Sequence, residues 1–499
     1  MVLTVHHHFI LLFGEITSFL TLKITREDHK KIDAWTRRVG ELKEEVKKMF
    51  IRAKGSVEEM IMIDEIQRLG VAYHFEKEIN DALEHINDAN VDYDDLKTFK
   101  DKEGNFKKGL CSDVEGLLSL YEAAFYGTHG EDILDEAISF TKAHLSSLIT
   151  HLDGPLGAQV GHALELPMRK RIARLDARFY ISLFQQHKQP NEIFLELAKL
   201  DFNLAQSMWW KDIGLTAKYP YARDRLVEVY LWILTVYFEP QYARARNMAV
   251  KMFKLISIID DTFDVNGKFE DLKVFTDAFQ RWDLSAMDQL PEYMRPIYHT
   301  VLSTVNEIEN KLLPGEKFFR TDLLKHETKV LIRAYLKEAQ WCNNGYVPTL
   351  GEHLKVSLLS GGYLFVTAAC FVGMGEEVTK EAFDWIKSHP KFLMDSSLIS
   401  RLFEQKREHF ASVIESYMKE HGVSRPVACE KIWEMVTSAW KDMNKFCLKP
   451  TLFPLSLLTR VVNLTRMIEV IYLHGDGYTD SSREIKEMIK SMFVDPIPL

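Results

Sequence analysis

The sequence predicts an all-α protein organised as two helical domains. Three observations carry that prediction. Apolar residues recur at helical spacing in nearly every segment. Sustained strand-like alternation is scarce. Gly and Pro fall mostly between the helical runs, at Gly154-Pro155, Pro220, Pro240, Pro291, Pro348, Pro390, Pro450 and Pro454. In chain order the runs include one near Glu41, then Val57 to Ile86, Leu117 to Phe125, Ile193 to Leu204, Arg225 to Tyr237 and Glu430 to Phe446. Many antiparallel helices follow from this pattern. No fixed-period repeat stands out, which argues against a helical solenoid. The domain break is placed before Trp209-Trp210, giving residues 1–205 and 206–499.

With 499 residues the chain can bury real cores in two or three domains. Hydrophobic content of 46% and charged content of 27% suit a soluble globular protein. The net charge of -9 argues against a nucleic-acid surface. An acidic chain that binds an anionic substrate needs local cations, as metal or clustered Arg. The cysteines Cys111, Cys342, Cys370, Cys429 and Cys447 are scattered without CxxC spacing and read as reduced thiols in a cytosolic compartment. The opening MVLTVHHHFILLFGEITSFLTL is apolar but interrupted by Glu15 and lacks a basic start, so it makes a poor membrane span or signal peptide. No other stretch reads as a membrane span. The expectation is a cytoplasmic monomer with neither nucleic acid nor membrane as partner.

The run ARARNMAVKMFKLISIIDDTFDVNG ends an apolar stripe in Asp260, Asp261 and Asp264. Asp260 and Asp264 are four residues apart and would share one helix face with Met252 and Ile256. Buried carboxylates are costly unless a cation meets them. Acids are also disfavoured at a helix C-terminus. A hard divalent ion that prefers carboxylate oxygen and bridges to phosphate answers both problems. Against this stands a solvated helix end, since DDxxD alone is a weak signal.

Upstream, PYARDRLVEVYLWILTVYF sets Arg223 and Arg225 at the mouth of an apolar helix. Such a pair suits bidentate binding of phosphate oxygens, or simply snorkels at a helix start. Trp232, Tyr230, Tyr237 and Phe238 on the same run would either line a pocket whose π faces stabilise a cation or pack an ordinary core. Ser360-Gly361-Gly362 interrupts an apolar run and should break or kink it. Asp92-Tyr93-Asp94-Asp95 sits in a polar stretch that reads as loop.

Together these stretches resemble the plant class I terpene synthases, and within them the sesquiterpene cyclases. The resemblance runs through IDEIQRLGVAYHFEKEI, EGNFKKGLCSDVEGLLSLYEAAFYG, YARDRLVEVYLW, DDTFD, RWDLSAMDQLPEYM, EAQWCNNGYVPTLGEHLKVSLLSGGY, HGDGYT and the closing FVDPIPL. It covers most of the chain after about Glu27, and the first two dozen residues resemble nothing in the family. It implies a C-terminal class I terpenoid synthase-like bundle and an N-terminal helical, barrel-like companion. It implies farnesyl diphosphate as substrate, and Mg²⁺, or Mn²⁺, on Asp260 and Asp264 with Asp261 beside them. Arg223, Arg225 and Arg401 would hold the diphosphate, Trp232 would face the cation, and Asp476 and Tyr478 match a loop that closes over the pocket.

The chain departs from the family after Arg401. A second metal motif of the form (N/D)DxxSxxxE is expected there, yet SSLISRL runs directly into FEQKREHFASVIESYMKEHG. Counted from the motif's end, Glu404 is its last ligand. Counted from Arg401, Glu404 falls at the first acid, with Glu408 and Ser412 following at four-residue steps, either as a substitute oxygen set or as part of a surface helix laced with Lys406 and Arg407. The joins before KDKEGNF and before Trp209-Trp210 also look shortened. Two readings follow: a Mg²⁺-dependent sesquiterpene synthase, or a catalytically impaired homologue or splice product that keeps the scaffold.

Overall fold

The computed structural model describes residues 26–88, 99–212, 226–315, 317–403, 412–473 and 484–499. Its contacts group Met1–Lys211 with Asp480–Leu499 in one unit and Asp212–Thr479 in another. The described residues are helical throughout apart from short connections, with no strand beyond a single Lys100–Phe106 bridge. The all-α expectation is met.

The first unit opens with α1 (Arg26–Ala53), α2 (Val57–Arg68) and α3 (Glu76–Asp88). Val39, Leu42, Val46 and Phe50 form the buried stripe of α1 at helical spacing. Ser56 caps α2 by accepting the Glu59 amide, while Glu59 accepts the Gly55 amide. The run from Val57 to Ile86, read from sequence as one helix, is broken into two. Gly70 adopts φ +74, and a Cβ there would stand 2.6 Å from Ala177 Cβ, so the chain turns on glycine where another helix presses close. Next come α4 (Val114–Ala124), α5 (Asp132–Leu148), α6 (Gly154–Glu165), α7 (Ala173–Phe184) and α8 (Glu192–Asp212). Leu117, Leu118, Tyr121, Leu145, Val160 and Ala163 knit α4, α5 and α6 into one core.

Buried charges in this unit are paired. Asp201 meets Arg174 at 3.0 Å, His74 at 2.9 Å and the Tyr73 hydroxyl at 2.5 Å. The unit is completed by α21 (Glu484–Phe493) and the closing residues. Asn203 exchanges hydrogen bonds with both backbone groups of Ile497, and Phe493 packs edge-on against Trp209. The sequence reading breaks the chain at 205/206 and runs the second domain to residue 499. The structure instead returns the last residues to the first unit, because FVDPIPL supplies partners that α8 would otherwise leave buried and unbonded.

The second unit contains α9 (Leu226–Val236), α10 (Ala243–Asp261), α11 (Phe269–Arg281), α12 (Arg295–Lys311) and α13 (Lys317–Asn343). It continues through α14 (Leu350–Ser360), α15 (Tyr363–Val372), α16 (Lys380–Lys387) and α17 (Lys391–Phe403). It ends with α18 (Val413–His421), α19 (Arg425–Phe446) and α20 (Leu455–Tyr472). Every residue of α9 and of α15 is buried. Helices buried on every face belong at the centre of a bundle. A buried helix end needs partners for its last carbonyls. For α9, Arg460 and Asn463 both donate to Val236 O at 3.1 Å, and Arg246 donates to Tyr237 O at 3.1 Å.

Leu350–Val372 is apolar and long enough to count as a membrane span, which the sequence reading does not anticipate. It is a core element instead: 72% of its apolar window is buried inside the protein. It is also two helices, because Gly361-Gly362 separates α14 from α15 with Gly362 at φ +76. The break expected at Ser360-Gly361-Gly362 is present.

Candidate metal and diphosphate site

The carboxylates sit where α10 stops being an α-helix. Asp260 and Asp261 are its last residues, and Thr262–Asn266 continues as a wider π-turn that carries Asp264. The Gly267 amide bonds Thr262 O at 2.8 Å to close that turn, and Thr262 Oγ1 bonds Ile258 O at 2.8 Å. A Cβ on Gly267 would lie 2.7 Å from Thr262 O and 2.4 Å from Leu272 Cδ2, so only glycine fits. The sequence reading stacks Asp260 above Asp264 on a straight helix. The structure widens the turn between them, and π-turns recur at functional sites. Asp261 is 6% exposed, while Asp260 and Asp264 are partly exposed. Three carboxylates on consecutive turns, at the helix end that least favours negative charge, form a donor set suited to a hard divalent ion.

Two aromatic contacts tie this turn to its surroundings, and in one of them Phe263 stands 6.2 Å from the ring of Phe275 on α11. Phe263, between the acids, lies 5.5 Å from the ring of Tyr335 on α13. One helical turn along α13 stands Glu338, a close neighbour of Tyr335 on the same face. Glu338 Oε1 accepts from Arg401 Nη2 at 2.8 Å and from Ser360 Oγ at 2.7 Å, and Arg401 Nη2 also donates to Ser360 Oγ at 2.7 Å. Gly361 makes room for this arrangement, since a Cβ there would press to 3.0 Å on Arg401 Cδ. Arg401 is therefore fixed by the helix break and by a carboxylate, and α13 carries that carboxylate and the ring against the acidic turn.

Trp232 lies on α9, 4% exposed, with its ring 5.3 Å from Phe253 in an edge-on contact. Phe253 is two turns along α10 from Asp260, so the wall and the acids share one helix. Tyr237 belongs to the core: it is fully buried, its hydroxyl bonds Cys370 O at 3.5 Å, and burial pushes that hydroxyl's pKa well up. Phe263, beside the acids, thus meets α13, the helix that also carries the Glu338 partner of Arg401, and Trp232 meets α10 through Phe253. Arg223, Arg225, Glu404, Glu408, Asp476, Tyr478 and Asp92 to Asp95 lie outside the described residues.

Ser412 does not continue a helix from Arg401 as the substitute-ligand reading requires. Its backbone is extended, with ψ 162, and it caps α18 through a reciprocal box with Glu415. The S-x-x-E signal was present in the sequence and outweighs the four-residue spacing. Glu338 is the site residue that sequence reasoning misses. Nothing in its local spacing announces it, because its partners are 22 and 63 positions away in the chain.

This is a helical bundle with a carboxylate-rich turn, an immobilised arginine and an aromatic wall. The family model described as terpene synthase family, metal binding domain, matches residues 211–442, and the one described as terpene synthase, N-terminal domain, matches 16–90 and 87–164. The second therefore begins inside the opening residues that the sequence reading sets apart. The (-)-germacrene D synthase of Vitis vinifera is 44% identical, over 99% of this chain and 94% of its own. The beta-cubebene synthase of Magnolia grandiflora is 45% identical, over 95% and 94%. The isoprene synthase of grey poplar, in a complex with three Mg²⁺ ions and dimethylallyl-S-thiolodiphosphate, superposes with a TM-score of 0.85 at 31% identity, covering 93% of this chain and 98% of that one.

The chain belongs to the terpene synthase family. It is an enzyme whose cofactor is a divalent metal, in a family that acts on prenyl diphosphates. The match to the Vitis vinifera enzyme extends over 535 positions, more than the 499 residues of this chain, so the relative carries residues with no counterpart here. The two N-terminal matches meet at 87–90, at the join before KDKEGNF that looks shortened in sequence.

Proposed function

We propose that this chain is a sesquiterpene synthase that ionises and cyclises farnesyl diphosphate with Mg²⁺ and releases diphosphate. The observation that carries the reading is the acidic turn joined through Phe263, Tyr335 and Glu338 to Arg401. Similarity to the sesquiterpene synthase 2 of Toona sinensis, 45% identical over 92% of this chain and 91% of its own, supports the substrate. Asp260 and Asp264 would hold the metal, with the more buried Asp261 behind them. When bound, the metal supplies positive charge that stabilises the departing diphosphate. Arg401 offers its guanidinium to the same oxygens, and Glu338 and Ser360 keep it from reorienting. Fixed donors of this kind require no reorganisation as charge develops.

Trp232 presents a π face to the allylic cation. The wholly buried α9 and α15 keep water from it. No covalent nucleophile is needed. Arg223, Arg225, Glu404 and Tyr478 retain the roles that the resemblance gives them, with Mn²⁺ as the alternative ion. A cytosolic monomer remains the working assignment, and five free thiols suit that compartment.

The test is incubation with farnesyl diphosphate and Mg²⁺, with geranyl diphosphate in parallel, followed by gas chromatography and mass spectrometry. C15 hydrocarbons or alcohols are expected. C10 products alone would reassign the substrate. No product from either would replace this reading with the impaired homologue.

A further inference from the structure

A second group of ligating side chains lies elsewhere on α13. His326 and Glu327 are consecutive there, and His389 lies between α16 and α17. His389 Nε2 stands 3.1 and 3.2 Å from the two oxygens of Glu327, and His326 Nε2 stands 3.9 Å from Oε1. One ligand atom from each residue falls within 4.8 Å of the others. The Glu327 side chain is 1% exposed, against 23% for His389 and 36% for His326. A carboxylate that deep is costly without a cation. Among the described residues its side-chain partners are these two imidazoles. The nearby cations are engaged elsewhere: Lys387 pairs with Asp322 at 3.0 Å, and Arg333 bonds Gln280.

The backbone at His389 supports the grouping. Its φ is +50 and its amide bonds Ile386 O at 3.0 Å, the position just past a helix end where glycine is usual. The sequence keeps an imidazole there, turned onto Glu327. In a tetrahedral site with bonds of about 2.0–2.1 Å, ligand atoms stand roughly 3.4 Å apart. The observed 3.1 and 3.9 Å bracket that edge.

We propose that His326, Glu327 and His389 form a binding site for a divalent transition metal of the Zn²⁺ class, distinct from the aspartate turn. Two imidazoles and one carboxylate select such an ion over Mg²⁺. The half-exposed His326 edge gives entry and leaves the fourth position to water. The site is structural in consequence. It ties α13 to the start of α17, and Glu338 with Arg401 ties the same two helices further along. Metal at the first tie would steady the helix whose other end presents Arg401.

The experiment uses the full-length, untagged chain with His6, His7 and His8 changed to Ala, because that run is a competing imidazole source. Excess Mg²⁺ occupies the aspartate turn. Titration with Co²⁺ is expected to give one equivalent with the intense visible bands of a four-coordinate site, and Zn²⁺ should displace it and raise the melting temperature. His326→Gln and His389→Gln should each weaken binding at least about tenfold, since even loss of an outer-shell partner costs roughly 10–100-fold. His326 is exposed enough for His326→Gln to fold, so that variant decides the matter if His389→Gln does not. Absence of the bands in the parent, or equal Co²⁺ affinity in His326→Gln and the parent, overturns the proposal and leaves Glu327–His389 as an ion pair held by a proton alone.

Discussion

Removing the Glu338 carboxylate should damage the second unit far more than its single position suggests. Glu338 and Arg401 side chains are 10% and 8% exposed, so solvent screens their pairing little. Glu338→Ala removes the carboxylate that faces the buried Arg401 guanidinium and the nearer of the two acceptors of Ser360 Oγ. Breaking a buried pair from one side costs about 3–5 kcal/mol. For a unit the size of Asp212–Thr479, each 1 kcal/mol moves Tm by about 2–4 °C. A drop of roughly 6–20 °C follows. Glu338→Gln keeps an acceptor for Ser360 and loses only the charge-assisted bond, about 1.5–3 kcal/mol. Arg401→Met alone strands the carboxylate, whereas the Glu338→Met, Arg401→Met pair replaces both charges and should recover most of the loss. Thermal and urea unfolding of the four variants checks this. If Glu338→Ala melts within about 2 °C of the parent, or the double variant loses the sum of the singles, the pairing is not what fixes Arg401.

Three further outcomes are expected. Asp260→Asn and Asp264→Asn should each cut product formation by at least about 100-fold and raise the Mg²⁺ needed, with circular dichroism unchanged; full activity at ordinary Mg²⁺ would remove the acids from the site. Burial pushes the His353 imidazole down to about 4, beside Ser416 Oγ at 2.9 Å. The unfolded chain takes up that proton first, near pH 6.5, so the contribution is complete above about 6.5 and falls by about 1.4 kcal/mol per pH unit toward 4. His353→Gln should flatten that part of the stability curve, as urea midpoints against pH will show. Gly373→Ala places a Cβ 2.5 Å from Ala245 Cα, which forces α10 away from the end of α15. A loss of about 1–3 kcal/mol is expected, together with lower turnover, because α10 carries the aspartates.

Much of the architecture was legible in the sequence because it is local. Helical periods mark α4, α8, α9 and α19, and Ser360-Gly361-Gly362 marks the break between α14 and α15. The acids at the end of α10 stand out because a carboxylate there contradicts the stripe before it. What was hidden depends on distant contacts. Periodicity runs straight through Gly70, and only the approach of Ala177 shows why the helix must stop. The π-turn under Asp264 adds one residue to a hydrogen-bonded ring, which spacing does not reveal. The Glu338–Ser360–Arg401 triangle joins three helices far apart in the chain. Ser412 caps a helix and does not extend one, because its S-x-x-E spacing to Glu415 closes a reciprocal box.

The grip of Asn203 on Ile497 joins positions 294 apart in the chain. Deleting residues 484–499 would remove the contacts that Ile497 makes with Asn203 and Phe493 with Trp209, and so loosen α8, an element drawn from the first half of the chain.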